Sequence, residues 1–134
     1  MSKVLAFSPA YAICQVGDND LDSDKTVDEI VASILAYIEF LHHGYSFKKV
    51  IFMQLLFRKR TRVITVPEYQ DRVISVNRRL KLAAADRPWL TYWKHKGLKN
   101  CAVSPLSSDL VHLNDFGMQR YIRSVRGAVL TILK

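Results

Sequence analysis

Apolar residues follow two spacings along this chain, and the switches between them mark out its elements. Tyr11 to Val16 is a short apolar run closed by Gly17. Its length and lack of polar alternation predict a strand buried on both faces. Turn-forming residues follow, and then Thr26 and Glu29 stand three apart, as in a capping box that opens a helix. Val27, Ile30, Val31, Ile34, Leu35, Ile38 and Leu41 recur at helical spacing, with Asp28, Ser33 and Glu39 off the stripe. Gly44 marks the expected end of that helix. Val50 to Phe57 is a second apolar run of strand length. A second helix is predicted over about 68–86, after Val66-Pro67, with Tyr69, Val73, Val76, Leu80 and Ala83/Ala84 on its stripe; Pro88 cannot continue it. Trp89 to Trp93 reads as a third strand. Asn114 is positioned to cap a last helix reaching Leu133, with Phe116, Tyr121, Ile122, Val125, Val129 and Ile132 on its apolar side.

The order β-α-β-α-β-α predicts an α/β fold in which parallel strands are joined by right-handed helical crossovers. The expected architecture is a three-layer α/β/α sandwich around a parallel sheet. No repeat, low-complexity stretch or linker divides the chain, so residues 1–134 are read as one domain. Sites in such sheets form beyond the carboxyl ends of the strands. Gly17–Asp20 and the Asp109–His112 loop are both expected at that edge.

Composition adds little to the fold and more to the partners. At 49% hydrophobic and 24% charged the chain has the balance of a globular domain, which favours a packed core. The net charge of +8 favours acidic partners such as nucleic acid, anionic lipid or an anionic substrate. Basic residues gather at Arg58–Arg62, at Arg120, Arg123 and Arg126, and at Lys94, His95, Lys96 and Lys99; each group reads equally as a solvated face. No apolar stretch approaches the ~18 residues of a membrane span. The first residues lack a basic start and Pro9 breaks their apolar run, so no signal peptide is read and the default compartment is the cytoplasm or nucleus. Cys14 and Cys101 sit in apolar surroundings outside any C-x-x-C pair, so no metal or cofactor is expected. His42 and His43 are explained by the negative end of a helix dipole. Trp89, Tyr92, Trp93 and Met53 are read as packing.

Two constellations carry candidate chemistry. Gly17-Asp18-Asn19-Asp20 follows the first strand, where an Asn amide and backbone N–H groups could face an oxyanion; the same residues also make an ordinary turn. Asp109 stands three residues before His112 in a loop that opens a helix. A carboxylate there can hold one imidazole nitrogen and leave the other as a general base. Alternatively, Asp109 caps a turn and His112 is a loop histidine.

In this order, AICQVGDNDL and DLVHLNDFG resemble the third and fourth blocks of the SGNH (GDSL-like) hydrolase superfamily. VIFMQLLFRKR is similar to the strand and loop between those blocks, and YQDRVISVNRRL to the helix that follows, including its mid-helix Asn77. The resemblance runs from about Ala10 to Leu133. It implies an SGNH/flavodoxin-like fold and serine acyl transfer on an ester. His112 would be the base, Asp109 its orienting partner, Asn19 the oxyanion donor and Gly17 its assistant.

One departure is large. The family's Gly-Asp-Ser block, with its strand and helix, has no counterpart before Gly17, so the domain is expected to be N-terminally truncated and without a nucleophile. Ser8, Ser104, Ser107 and Ser108 do not match the family's position and read as loop serines. The expectation is an esterase-like chain that is inactive alone, whose ester substrate awaits a missing N-terminal part. Missing strands would leave an exposed sheet edge open to self-association. The alternative is a non-catalytic basic module that binds nucleic acid or another acidic partner.

Overall fold

The computed structural model describes residues 10–95, 98 and 105–133. Three parallel strands form the sheet in the order β1 (Tyr11–Cys14), β2 (Lys49–Met53), β3 (Leu90–Trp93), with β2 central. Tyr11 aligns with Lys49 and Val50 with Leu90, so the three carboxyl ends lie level. Between β1 and β2 come a single helical turn, α1 (Asp18–Leu21), and the longer α2 (Val27–Glu39). Between β2 and β3 runs α3 (Val66–Ala85), and α4 (Asp115–Ile132) closes the chain.

The caps follow from side-chain chemistry. Thr26 Oγ1 accepts the Glu29 N–H at 3.2 Å, and Asn114 Oδ1 accepts the Gly117 N–H at 2.8 Å. Thr65 does the same for Glu68 at 3.2 Å, so α3 begins two residues earlier than its apolar stripe suggests. Helix α2 does not stop cleanly; it widens into a π-turn over Phe40–Gly44. There His42 Nδ1 donates to Phe47 O at 2.7 Å, and the ring stacks on Trp89 with centres 4.0 Å apart. His43 Nε2 meets Glu39 Oε2 at 3.0 Å.

Alternate strand residues serve two cores. Cys14, Val50, Phe52 and Leu90 pack with Ile30, Ile34 and Ile38 of α2 and with Tyr69, Val73, Val76 and Leu80 of α3. Ile51 and Met53 pack with Ala128, Tyr121, Val125 and Ile132 of α4. Burial pushes the Cys14 thiol up to about 11, as befits a core residue. Cys101 lies outside the described residues.

The second apolar run is only partly strand. Pairing ends at Met53 because β1 and β3 offer no partner further on. Leu55 is instead held by the Asn77 side chain, which accepts its N–H at 2.9 Å and donates to its carbonyl at 3.0 Å. Leu56, Phe57 and Arg58 follow it outside the strand.

Gly117 shows how tightly α4 is seated. A Cβ there would stand 2.2 Å from the carbonyl oxygen of Pro105. That oxygen already accepts the Asn114 N–H at 2.8 Å. Neither partner is the flexible end of a side chain, so Gly117→Ala is expected to cost about 2 kcal/mol. A chemical-denaturation midpoint that does not move would contradict this seating.

Candidate active site

The strand ends build the floor of the site. Gln15 follows β1, Gln54 follows β2 and His95 comes two residues after β3. Gly17 then turns the chain with φ +106°, and a Cβ on it would lie 2.8 Å from Ile34 Cδ1. The positive φ is what favours glycine here; the Ile34 methyl is a side-chain end that can shift. The segment expected as an open turn is therefore a helical turn, Asp18–Leu21, which carries Asn19 on its exposed side.

The opposite wall is the loop before α4. Asp109 Oδ2 lies 2.6 Å from His112 Nδ1. Its Oδ1 accepts from Ser107 Oγ at 2.6 Å and from the backbone N–H of Val111 and His112, each at 2.9 Å. The Ser107 hydroxyl, the His112 ring and those two N–H groups hold the Asp109 carboxyl far below the usual carboxylate range. An ionised carboxylate only accepts, so Nδ1 carries a proton, and the lone pair of the neutral ring is then on Nε2. The His112 side chain is 81% exposed, and Nε2 has no partner among the described residues. That nitrogen is open to a substrate-side hydroxyl. The loop itself is braced by Ser107 N–H to His112 O at 2.8 Å and by Lys59 N–H to Leu110 O at 2.9 Å.

Asn19 faces His112 across the cleft. Arg58 Nη2 donates to Asn19 Oδ1 at 3.0 Å, and the guanidinium lies over the buried Tyr69 ring at 5.3 Å. Arginine can only donate, so the amide oxygen is the atom that faces it and Nδ2 is left as the donor. Asn19 and His112 line one cavity of about 570 Å³, together with Gly17, Gln15, Phe57 and Tyr121. Two buried oxygens under this wall, Asp18 Oδ1 and the Tyr69 hydroxyl, have no hydrogen-bond partner among the described residues. Burial raises the Asp18 carboxyl, with the Arg58 charge pulling it partly back, and pushes the Tyr69 hydroxyl up to about 12.

All four predicted site residues thus lie at the carboxyl edge of the sheet. Among the described residues, none of the serines weighed above bonds the His112 ring. Ser107 is committed to Asp109, Ser108 lies in a turn, and Ser8 and Ser104 fall outside the described residues. Arg58 is the neighbour that sequence reading assigned only to a basic stretch. His95 was grouped with surface lysines, and the structure removes it from them, at 4% exposure. Its Nδ1 lies 2.7 Å from Ser124 Oγ and its Nε2 3.0 Å from Gln15 Oε1. Gln15 Nε2 donates to Gln54 O at 3.0 Å, and Trp93 Nε1 donates to Ser124 Oγ at 2.9 Å. Burial keeps the histidine neutral, as an Nε2–H tautomer whose Nδ1 accepts a hydrogen bond from the Ser124 hydroxyl. This serine–histidine–amide chain has the connectivity of a charge-relay triad, but Ser124 is 5% exposed, and neither it nor His95 lines the cavity. It is a structural tie. Lys96 and Lys99 lie outside the described residues.

Among the described residues no helix is long and apolar enough to cross a membrane, and no cluster of metal-ligating side chains occurs. No family model and no curated sequence matches the chain. Solved structures do. A candidate acylhydrolase from Bacteroides fragilis matches with a TM-score of 0.75 and 21% sequence identity, over 99% of this chain and 67% of its own. A candidate platelet activating factor from Streptococcus pneumonia matches with a TM-score of 0.73 and 15% identity, over 88% of this chain and 58% of its own. At these identities the likeness is one of fold. The chain spans little more than half of the second protein's length and two thirds of the first's.

Proposed function

We propose that the cleft is the base-and-oxyanion part of a serine acyl-hydrolase site of SGNH type. The observation that carries this is the Asp109–His112 pair at 2.6 Å, with its free Nε2 turned to the cavity that also holds Asn19. In this reading His112 Nε2 takes the proton of a serine hydroxyl as the oxygen attacks an ester carbonyl. Asn19 Nδ2 and backbone N–H groups of the Gly17 turn receive the oxyanion. The alcohol leaves with the proton from His112, and water then repeats the sequence to free the acid. The serine comes from a segment outside these 134 residues, which also adds strands beside β1. Both the fold likeness to an acylhydrolase and the shorter span of this chain support that reading. With such strands in place, α2 and α3 on one face and α4 on the other make the three-layer sandwich. The edge of β1, where Tyr11 is 39% exposed, is the place for that segment or for a second copy.

Two measurements test the two halves of the proposal. Hydrolysis of 4-nitrophenyl acetate by the isolated chain is expected to stay at the uncatalysed level; turnover that disappears in His112→Ala would show that the nucleophile is already present. Long-range proton–nitrogen NMR is expected to find His112 protonated on Nδ1, with mixed tautomers in Asp109→Asn. A wild-type ring protonated on Nε2 would remove His112 as base. The alternative, a continuous basic surface, is weakened by the loss of His95 to the core and of Arg58 to Asn19.

A further inference from the structure

Next to the candidate cleft lies a second cavity of about 500 Å³, lined by Asn19, His112 and Asp109 together with Arg58, Arg60 and Arg62. We propose that it is a subsite for a phosphate-like anionic group of the ester, and so that the substrate is a phosphorylated one. This rests on the acyl-hydrolase reading of the adjoining cleft.

Four features point to a ligand anion rather than a solvated charge run. First, the carboxylates in the wall are already engaged. Asp22 accepts the backbone N–H groups of Arg62 at 2.8 Å, Val63 at 2.9 Å and Ile64 at 3.3 Å. Burial would raise the Asp22 carboxyl, but the N–H groups of Val63, Arg62 and Ile64 outweigh it and hold it below its ordinary value. Asp109 accepts three hydrogen bonds at Oδ1 and one at Oδ2, as described above. Second, Arg60 and Arg62 have no carboxylate partner among the described residues, so their donors are free. Third, the loop that carries them is built. Lys59 N–H is tied to Leu110 O at 2.9 Å, the Asp22 carboxylate gathers residues 62–64, and Thr61 Oγ1 donates to Ile64 O. A fixed backbone lowers the ordering cost that weakens most surface arginines. Fourth, planar guanidinium groups match phosphate oxygens in paired, charge-assisted hydrogen bonds. The subsite adjoins the base, so an anion held there lies beside the acyl position. Asn19, shared by both cavities, joins the two.

The test is an NMR titration of the isotope-labelled full chain with inorganic phosphate. Expected are saturable shifts confined to Asn19, residues 58–63 and His112. In Arg60→Gln/Arg62→Gln the affinity is expected to fall about tenfold; Arg120→Gln/Arg123→Gln on α4 is expected to leave it unchanged. Sedimentation with phosphatidic acid vesicles separates the sources. Phosphate binding without vesicle binding assigns a soluble phosphorylated ester. Vesicle binding abolished by the loop variant assigns a lipid headgroup. Non-saturating shifts, or equal losses in both double variants, overturn the subsite. So does tighter binding of a short oligonucleotide with a steep salt dependence that both variants weaken alike, which would mark a diffuse nucleic-acid surface. Failure of the acyl-hydrolase reading is told apart by the His112 tautomer, which is measured without phosphate.

Discussion

Replacement of Asn77 by alanine is expected to destabilise the protein by about 3 kcal/mol, on the order of 10 °C in melting temperature for a domain of this size. The side chain is 7% exposed and makes two hydrogen bonds to one residue, accepting from Leu55 N–H and donating to Leu55 O. Leu55 is 1% exposed, so water cannot easily replace the lost partner. Each backbone group left unsatisfied costs about 1–3 kcal/mol. Asn77→Asp separates the two bonds. It keeps an acceptor for the N–H but sets an anion against the carbonyl, so it is expected to be no better than alanine. Asn77→Leu restores volume without either bond and is expected to recover little. Guanidinium unfolding of the three variants measures this; a leucine variant as stable as wild type would show that packing, not the paired hydrogen bonds, is what Asn77 supplies.

The same contact has a consequence for the cleft. Leu55 is where the chain leaves β2, and Leu56, Phe57 and Arg58 follow it into the cavity wall. Arg58 in turn holds the Asn19 oxygen. A loosened Leu55 therefore reaches the amide donor through three residues of backbone, although Asn77 touches nothing in the cleft.

These dependencies explain what was legible in the sequence and what was not. The helix stripes and the Thr26 and Asn114 caps predicted α2 and α4 closely, because burial pattern and cap chemistry are local. The Asp109–His112 pair was legible for the same reason, three residues within one loop. The end of β2 was not. The run Val50–Phe57 is apolar throughout, and only the four-residue length of its neighbours decides where pairing stops. The start of α3 was set two residues late, because Val66-Pro67 was read as leading into the helix, whereas Thr65 caps it and Pro67 lies in its first turn. Arg58 and His95 could not be placed, because their roles depend on partners far along the chain. Arg58 reaches back 39 residues to Asn19, and His95 reaches 80 residues to Gln15. A histidine between lysines reads as surface charge until the sheet folds its ring inward.

That inward ring gives the other large effect, a loss of stability in mild acid. Burial lowers the His95 imidazole from its ordinary 6.5 to about 4. The unfolded chain therefore takes up a proton at this residue as pH falls through 6.5, while the folded chain resists until about 4. Stability from the neutral ring is complete above 6.5, declines between the two values and is fully lost below the lower one. The difference corresponds to about 3 kcal/mol. Burial is what disfavours the charged form: Nε2 already donates to Gln15 Oε1, and a second proton on Nδ1 would oblige the Ser124 hydroxyl to turn and accept it beside the Trp93 N–H. Among the described residues the ring contacts no carboxylate; Tyr121 is an aromatic neighbour at 4.9 Å. Asp18 works in the opposite direction, since its raised carboxyl is relieved by protonation, and it offsets part of the fall. His95→Gln removes the titration. Its unfolding free energy is expected to be lower than wild type at about pH 8, where a hydrogen bond is lost, yet to change less on acidification, by about 3 kcal/mol between pH 8 and pH 4. Parallel pH curves for the two proteins would mean that the ring is solvated and that the tie joining the three strand ends beneath the cleft does not hold in solution.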